Sequence, residues 1–179
     1  MNERQMKNME YRYLPEFVYG ATDGSVTTFA IVAGVLGASL SSVIVLILGF
    51  TNLIADGFSM AISNYLSVKS RNDLRKRNNF PRVNAFKSAS MTFFAFLMIG
   101  FVPLLSFVLA AITGNETIIK NQFIYSIVLT FFAFLIIGWL RGHITGKNKI
   151  KTSLQTIIIG GVAAALAFLV GYGIKTLIG

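Results

Sequence analysis

Five long apolar stretches, separated by short polar ones, dominate this chain and leave it few ways to fold. They run from about Phe17 to Gly37, Val43 to Leu66, Ala89 to Ile112, Phe123 to Leu140 and Leu154 to Leu177. Each holds roughly the 20 residues that an α-helix needs to cross the hydrocarbon core of a bilayer. Lipid offers the backbone no hydrogen-bond partners, so apolar runs of this length imply helices rather than open sheets. The expected fold class is all-α: a polytopic membrane protein whose five transmembrane helices form one domain over 14–179, after a short cytoplasmic segment over 1–13. Composition agrees, since 54% of the 179 residues are hydrophobic. A soluble domain with such stretches would expose large apolar patches to water.

The connections refine this picture. Only Ala38 to Ser42 separates the first two stretches, so they should form an antiparallel hairpin. Lys69 to Lys87 is polar, contains Pro81 and lacks strong apolar periodicity, which reads as a short cytoplasmic linker. With the N-terminus in the cytoplasm, Arg4, Lys7, Arg12, Lys69, Arg71, Arg75, Lys76, Arg77, Arg82, Lys87, Arg141, Lys147, Lys149 and Lys151 fall inside, and only Lys120 and Lys175 fall outside. Five spans therefore satisfy the positive-inside rule and put the C-terminus outside. The net charge of +9 is topology, and no nucleic-acid partner is expected. Val26 to Leu36 resembles a signal-peptide core, but Glu16 and Asp23 stand where a basic segment should lead into it.

With no cysteine and one histidine, His143, the chain cannot build a thiolate or multi-histidine metal site alone. It also lacks a recognisable nucleophile and base pair, so no enzymatic activity and no resident cofactor are expected. His143 reads as a solvated residue of a basic loop. What stands out is acid where lipid should be. Glu16, Asp23 and Asp56 lie in or beside the first two spans, and an aspartate near a helix centre costs roughly 2.5 to 3.5 kcal/mol to insert. Glu16 and Asp23 are seven residues apart and share a helix face, and Asn52, Asp56 and Met60 follow at intervals of four on the next helix. Folded as a hairpin, the two stripes would line one path with carboxylates, an amide and a thioether.

Carboxylate oxygen binds most divalent cations, whereas a thioether favours softer ones, so the mixture points to a first-row transition metal. Carboxylates in a low-dielectric path can also take up protons as the metal leaves, which makes a proton-coupled cycle chemically available. Blander readings stand beside these. Met60 can be packing, Asp23 can cap a helix that starts near Gly24, Asp56 can pair with a base such as Lys69, and Asn52 can be interhelical glue. Small residues at Gly20 and Gly24, at Ala55, Ser59 and Ser63, and at Ala163, Ala167 and Gly171 permit close helix approach within one chain or across a dimer. Gly100 and Pro103 can kink the third helix. A membrane scaffold or assembly partner without transport activity, its stripes serving helix contacts only, is the alternative function.

Residues 23 to 41, DGSVTTFAIVAGVLGASLS, and 55 to 70, ADGFSMAISNYLSVKS, with LPEFVYGAT before them, closely resemble the first two helices of the vacuolar iron transporter family. Beyond residue 70 helix count and spacing carry the likeness. The resemblance implies a five-helix homodimer with a metal path between the copies, exchanging cytosolic ferrous iron, and often manganese, for protons. It implies that Asp23 is the intramembrane carboxylate, that Met60 is a thioether ligand and that Glu16 sits at the cytoplasmic mouth; from their place on the second stripe, Asp56 and Asn52 are expected as secondary or structural contributors. The short form implies a bacterial inner membrane. Three departures bear on substrate: the glutamate-rich domain of many members is absent between helices two and three, Asn64 stands where bacterial relatives often have glutamate, and Asp56 lacks a universal counterpart in the family.

Overall fold

A computed structural model describes residues 3–77 and 81–178, with side chains from Tyr13 onward, and every regular element among them is helical. The elements are α1 (Glu3–Gly37), α2 (Ser42–Arg77), α3 (Ala85–Gly100), a 3-10 turn (Val102–Leu104), α4 (Leu105–Thr113), α5 (Glu116–Thr145) and α6 (Lys149–Ile178). Polar residues set the boundaries. Asn84, Asn115 and Asn148 accept backbone N–H groups at the starts of α3, α5 and α6 through their Oδ1 atoms, satisfying donors that a helix start leaves orphaned. Gly114 and Gly146 close α4 and α5 with φ of 60° and 64°, left-handed conformations that glycine adopts without strain.

Four segments are long and apolar enough to cross a membrane: Ser42–Arg77, Ala85–Thr113, Glu116–Thr145 and Lys149–Ile178. The first helix, expected as a span over 17–37, is not among them. At 35 residues α1 has ample length, but Glu16, Asp23 and a run of Gly, Ser and Thr dilute its apolar character. Its position explains the composition, because α1 is the central helix, packed against α2, α3, α5 and α6. Its Val32 and Val35 join Val45, Leu53, Phe96, Leu104 and Phe107 in one core cluster, and its Ala21 joins Ala95, Phe134 and Ile137 in another. Phe29 packs against both. The outward faces of α2, α5 and α6 instead carry exposed Phe58, Ile62, Ile136 and Leu166, as surfaces bathed in lipid require.

Two local expectations need correction, and a third is refined. The stretch read as a linker over Lys69 to Lys87 is mostly helix: α2 continues to Arg77 and α3 begins at Ala85. Arg75, Lys76 and Arg77 complement the negative end of the α2 dipole and are good helix formers. The Asn72 side chain then holds the returning chain, donating to the Val83 carbonyl at 2.6 Å and accepting from its N–H at 2.9 Å. The third span is broken at Gly100 to Pro103, where its glycine and proline are expected to kink it, passing from α3 through the 3-10 turn into α4. A carbonyl freed there is taken up by α5, where Ser126 donates to Pro103 O at 2.6 Å, as non-helical backbone at membrane depth demands. His143 belongs to the last turn of α5, not to a loop, and stacks on Trp139.

Alternation of the helices gathers the ends of α2 and α5 and the starts of α1, α3 and α6 at one end of the bundle. Lys69, Arg71, Arg75, Lys76, Arg77, Arg82, Lys87, Arg141, Lys147, Lys149 and Lys151 all belong to this basic end. Arg4, Lys7 and Arg12 lie outside the described side chains.

Candidate functional site

Two hydrogen bonds fix how α1 and α2 run past one another. Asn64 Nδ2 donates to Glu16 Oε2 at 3.0 Å, and Asn52 Nδ2 donates to Thr27 Oγ1 at 3.5 Å. In this antiparallel register Asp56 lies level with Asp23, and Met60 lies between the levels of Glu16 and Asp23. The expected stripes therefore come together on one pair of helices, ordered from the basic end as Glu16, Met60, then Asp23 with Asp56.

At the basic end, Glu16 is the best-held of these groups. Its side chain is 19% exposed, and Arg71, at 57%, approaches it at 4.0 Å. Asn64, only 7% exposed, reaches the Glu16 carboxylate, the Thr92 hydroxyl at 2.6 Å and the Ser88 carbonyl at 3.4 Å. Glu16 also borders a cavity of about 430 Å³ whose other walls include Arg71, Asn72 and Arg75. An ion pair this long, with its arginine largely in solvent, adds little stability and opens readily. A cation entering the cavity meets one carboxylate with two guanidinium groups beside it, so it must displace Arg71 to reach Glu16.

Deeper along the pair the surroundings change. Asp23 and Asp56 are exposed in the single chain, yet they lie some two helical turns inside the bundle from Glu16, at a depth where neighbouring faces are apolar. They are close enough for their charges to interact. Among the described residues neither side chain has an ion pair or hydrogen bond, so Asp56 is not paired with Lys69. Asp23 is in mid-helix, which removes the capping alternative. Asn52 bridges to Thr27, whose hydroxyl donates to the Asp23 carbonyl at 2.8 Å. Met60 is half-buried and packs against the larger core cluster.

The glycine stripe of α1 is consumed within the chain, with Gly20 and Gly24 seated against the backbone of α3, and Gly171 of α6 lies against Gly34. The α2 stripe of Ala55, Ser59 and Ser63 is exposed, as is Tyr19 of α1. Among the described residues no three acidic or histidine side chains converge into a complete metal cage.

Sequence reading singled out Asn64 only as a departure, and missed Arg71 and Thr92 as partners of Glu16. The signal for Asn64 was present, since it continues the four-residue series Asn52, Asp56, Met60. For Thr92, buried on another helix, no spacing rule applies. Replacing the Asn64 amide with a carboxylate, Asn64→Asp, sets two acids about one hydrogen bond apart. The metal-free variant is expected to lose about 2 kcal/mol of stability with its charge-assisted bond. Millimolar manganese should raise its melting temperature by more than it raises that of the native chain. Equal metal responses would show that the Glu16 node does not bind cations.

Comparison with known proteins decides the lineage. The profile of the VIT family matches residues 14–82 and 75–172. The chain belongs to the VIT family. Among its relatives, vacuolar iron transporter homolog 1 of Arabidopsis thaliana is 33% identical over an alignment that covers 100% of this chain and 92% of that protein. Vacuolar iron transporter 1 of the same plant is 26% identical, with 86% of this chain and 82% of the relative aligned. Vacuolar iron transporter of Toxoplasma gondii is 46% identical over 66 residues, 37% of this chain and 22% of the relative. With four apolar spans and this VIT membership, the chain is an integral, multi-pass membrane protein.

Proposed function

We propose that this VIT family member is a proton-coupled exporter of divalent transition metal, carrying ferrous iron, and manganese as a second substrate, out of the cytosol. The observation that carries this reading is a pair of carboxylates, Asp23 and Asp56, without an ion pair among the described residues, level on adjacent helices at a depth where the neighbouring faces are apolar. Such a pair is costly in lipid unless it binds cations or protons. Competition of metal and protons for the same carboxylates is a direct route to exchange.

Membership in the family and the names of its relatives support iron as cargo. The central position of α1, shielded by four other helices, supports counting it as a fifth span, with the basic end and N-terminus cytoplasmic and the C-terminus outside. The exposed small-residue stripe of Ala55, Ser59 and Ser63, on the same helix as Asp56, supports a homodimer, whose twofold axis would present Asp23, Asp56, Met60 and Glu16 twice around one path.

The defining experiment is ferrous flux into proteoliposomes driven by a pH gradient. Native protein should transport only when the gradient is imposed. Met60→Ala should still fold and transport, with its preference for iron over manganese reduced by about fivefold, the equivalent of roughly 1 kcal/mol. An unaltered preference would reassign Met60 to packing.

A further inference from the structure

At the basic end, where Gly138 and Gly142 of α5 seat closely against the backbone of α6, the outward side chains of the two helices flank a groove of about 740 Å³ along their seam. Its walls are apolar, with Phe132, Ile136, Leu154 and Ile157 among them, and Trp139 and Lys149 stand at its mouth. From Trp139 to Phe132 the groove descends two turns of α5, about 10 Å, which is less than half the thickness of a hydrocarbon core. It therefore occupies the outer part of a single leaflet.

The mouth is built to hold a cation in place. The Lys149 ammonium sits 4.6 Å from the centre of the Trp139 ring, and His143 lies parallel to the same ring at 5.7 Å. A cation–π contact restrains an otherwise mobile lysine at the level where tryptophan prefers to sit, the headgroup boundary. Arg141, Lys147 and Lys151 belong to the same end of α5, α6 and their connection, and the sequence has no acidic residue after Glu116. An anion approaching this corner meets no opposing charge from either groove helix.

We propose that this groove is a binding site for an anionic phospholipid, with an acyl chain between α5 and α6 and the phosphate at Lys149. An acyl chain fits the apolar walls and their depth, and a phosphate complements the uncompensated bases at the rim. A zwitterionic lipid satisfies only the first condition, and a free phosphate only the second.

Trp139 is the only tryptophan of the chain, so its fluorescence reports on this groove alone. The test is quenching of the full-length protein in phosphatidylcholine vesicles that contain either phosphatidylglycerol or phosphatidylcholine with brominated acyl chains. The brominated anionic lipid should compete for the groove about fivefold better than the zwitterionic one, the advantage of one well-placed basic side chain near a membrane surface. Lys149→Gln should bring that ratio close to one, and Lys120→Gln, at the opposite end, should leave it unchanged. Equal quenching by both lipids of the native chain would mean ordinary solvating lipid and overturn the proposal. Absence of quenching would mean that protein covers the groove, again overturning it. Loss of the anionic preference on adding millimolar inorganic phosphate would reassign the mouth to a soluble anion.

Discussion

Asp23→Asn should abolish gradient-driven ferrous flux while leaving the protein folded. The substitution keeps shape and removes charge, so it deletes a metal ligand and a proton acceptor together. Loss of outer partners of metal ligands costs 10- to 100-fold in affinity or activity in metal sites generally, and a direct ligand should cost on the order of 100-fold or more. The fold has no stake in the carboxylate, since its side chain makes no ion pair or hydrogen bond among the described residues. Neutralising a charge whose insertion costs roughly 3 kcal/mol should, if anything, raise the melting temperature. The paired readout is flux in proteoliposomes and thermal melting in detergent. Flux within about threefold of native would remove the carboxylate from any path and favour a scaffold whose stripes serve helix contacts alone. Asp56→Asn should have a smaller effect, because Asp23 would remain to bind the ion.

The reach of the sequence can be judged from particular residues. Apolar runs announced the helices of the bundle, because length and hydropathy are properties of a segment by itself. The same criterion fails for α1, whose environment is made by its neighbours: a helix enclosed by four others can carry Glu16, Asp23 and a glycine stripe that a lipid-facing helix could not. Helical spacing set Glu16 with Asp23 and Asn52 with Asp56 and Met60, and the short hairpin, which leaves little freedom of register, brings the two stripes side by side. It did not reach Thr92 or Arg71, which meet Glu16 through contacts between distant segments, nor did it foresee that basic residues would prolong α2 to Arg77. Small-residue stripes looked equivalent in sequence, yet Gly20 and Gly24 are used inside the chain whereas Ala55, Ser59 and Ser63 face outward. Only the packing separates them.

That separation yields the second large effect. Gly24→Ala, the smallest change available, should unfold or grossly loosen the bundle. A Cβ on Gly24 would stand 2.5 Å from the Phe96 carbonyl oxygen and 3.0 Å from its Cα, both backbone atoms that cannot rotate away. Gly20 is seated in the same manner on Thr92, and a Cβ on Gly100 would meet the Gly24 carbonyl oxygen at 2.9 Å. The α1 and α3 backbones thus touch over a full turn, and one methyl group must push them apart. Phe96, fully buried in the larger core cluster, and Ala21 with Ala95 in the smaller one lie beside this contact. Overpacking typically costs 1 to 3 kcal/mol, and with backbone on both sides about 3 kcal/mol is expected. Gly161→Ala supplies the control, because nothing lies within 4 Å of its added Cβ and alanine favours helix; its melting temperature should hold or rise. A Gly24→Ala protein that melts with the native one would mean that α1 and α3 are less closely seated than the structure has them. If it instead unfolds while Asp23→Asn stays folded and silent, the two faces of α1 have separate duties, one to hold the bundle and the other to carry the ion.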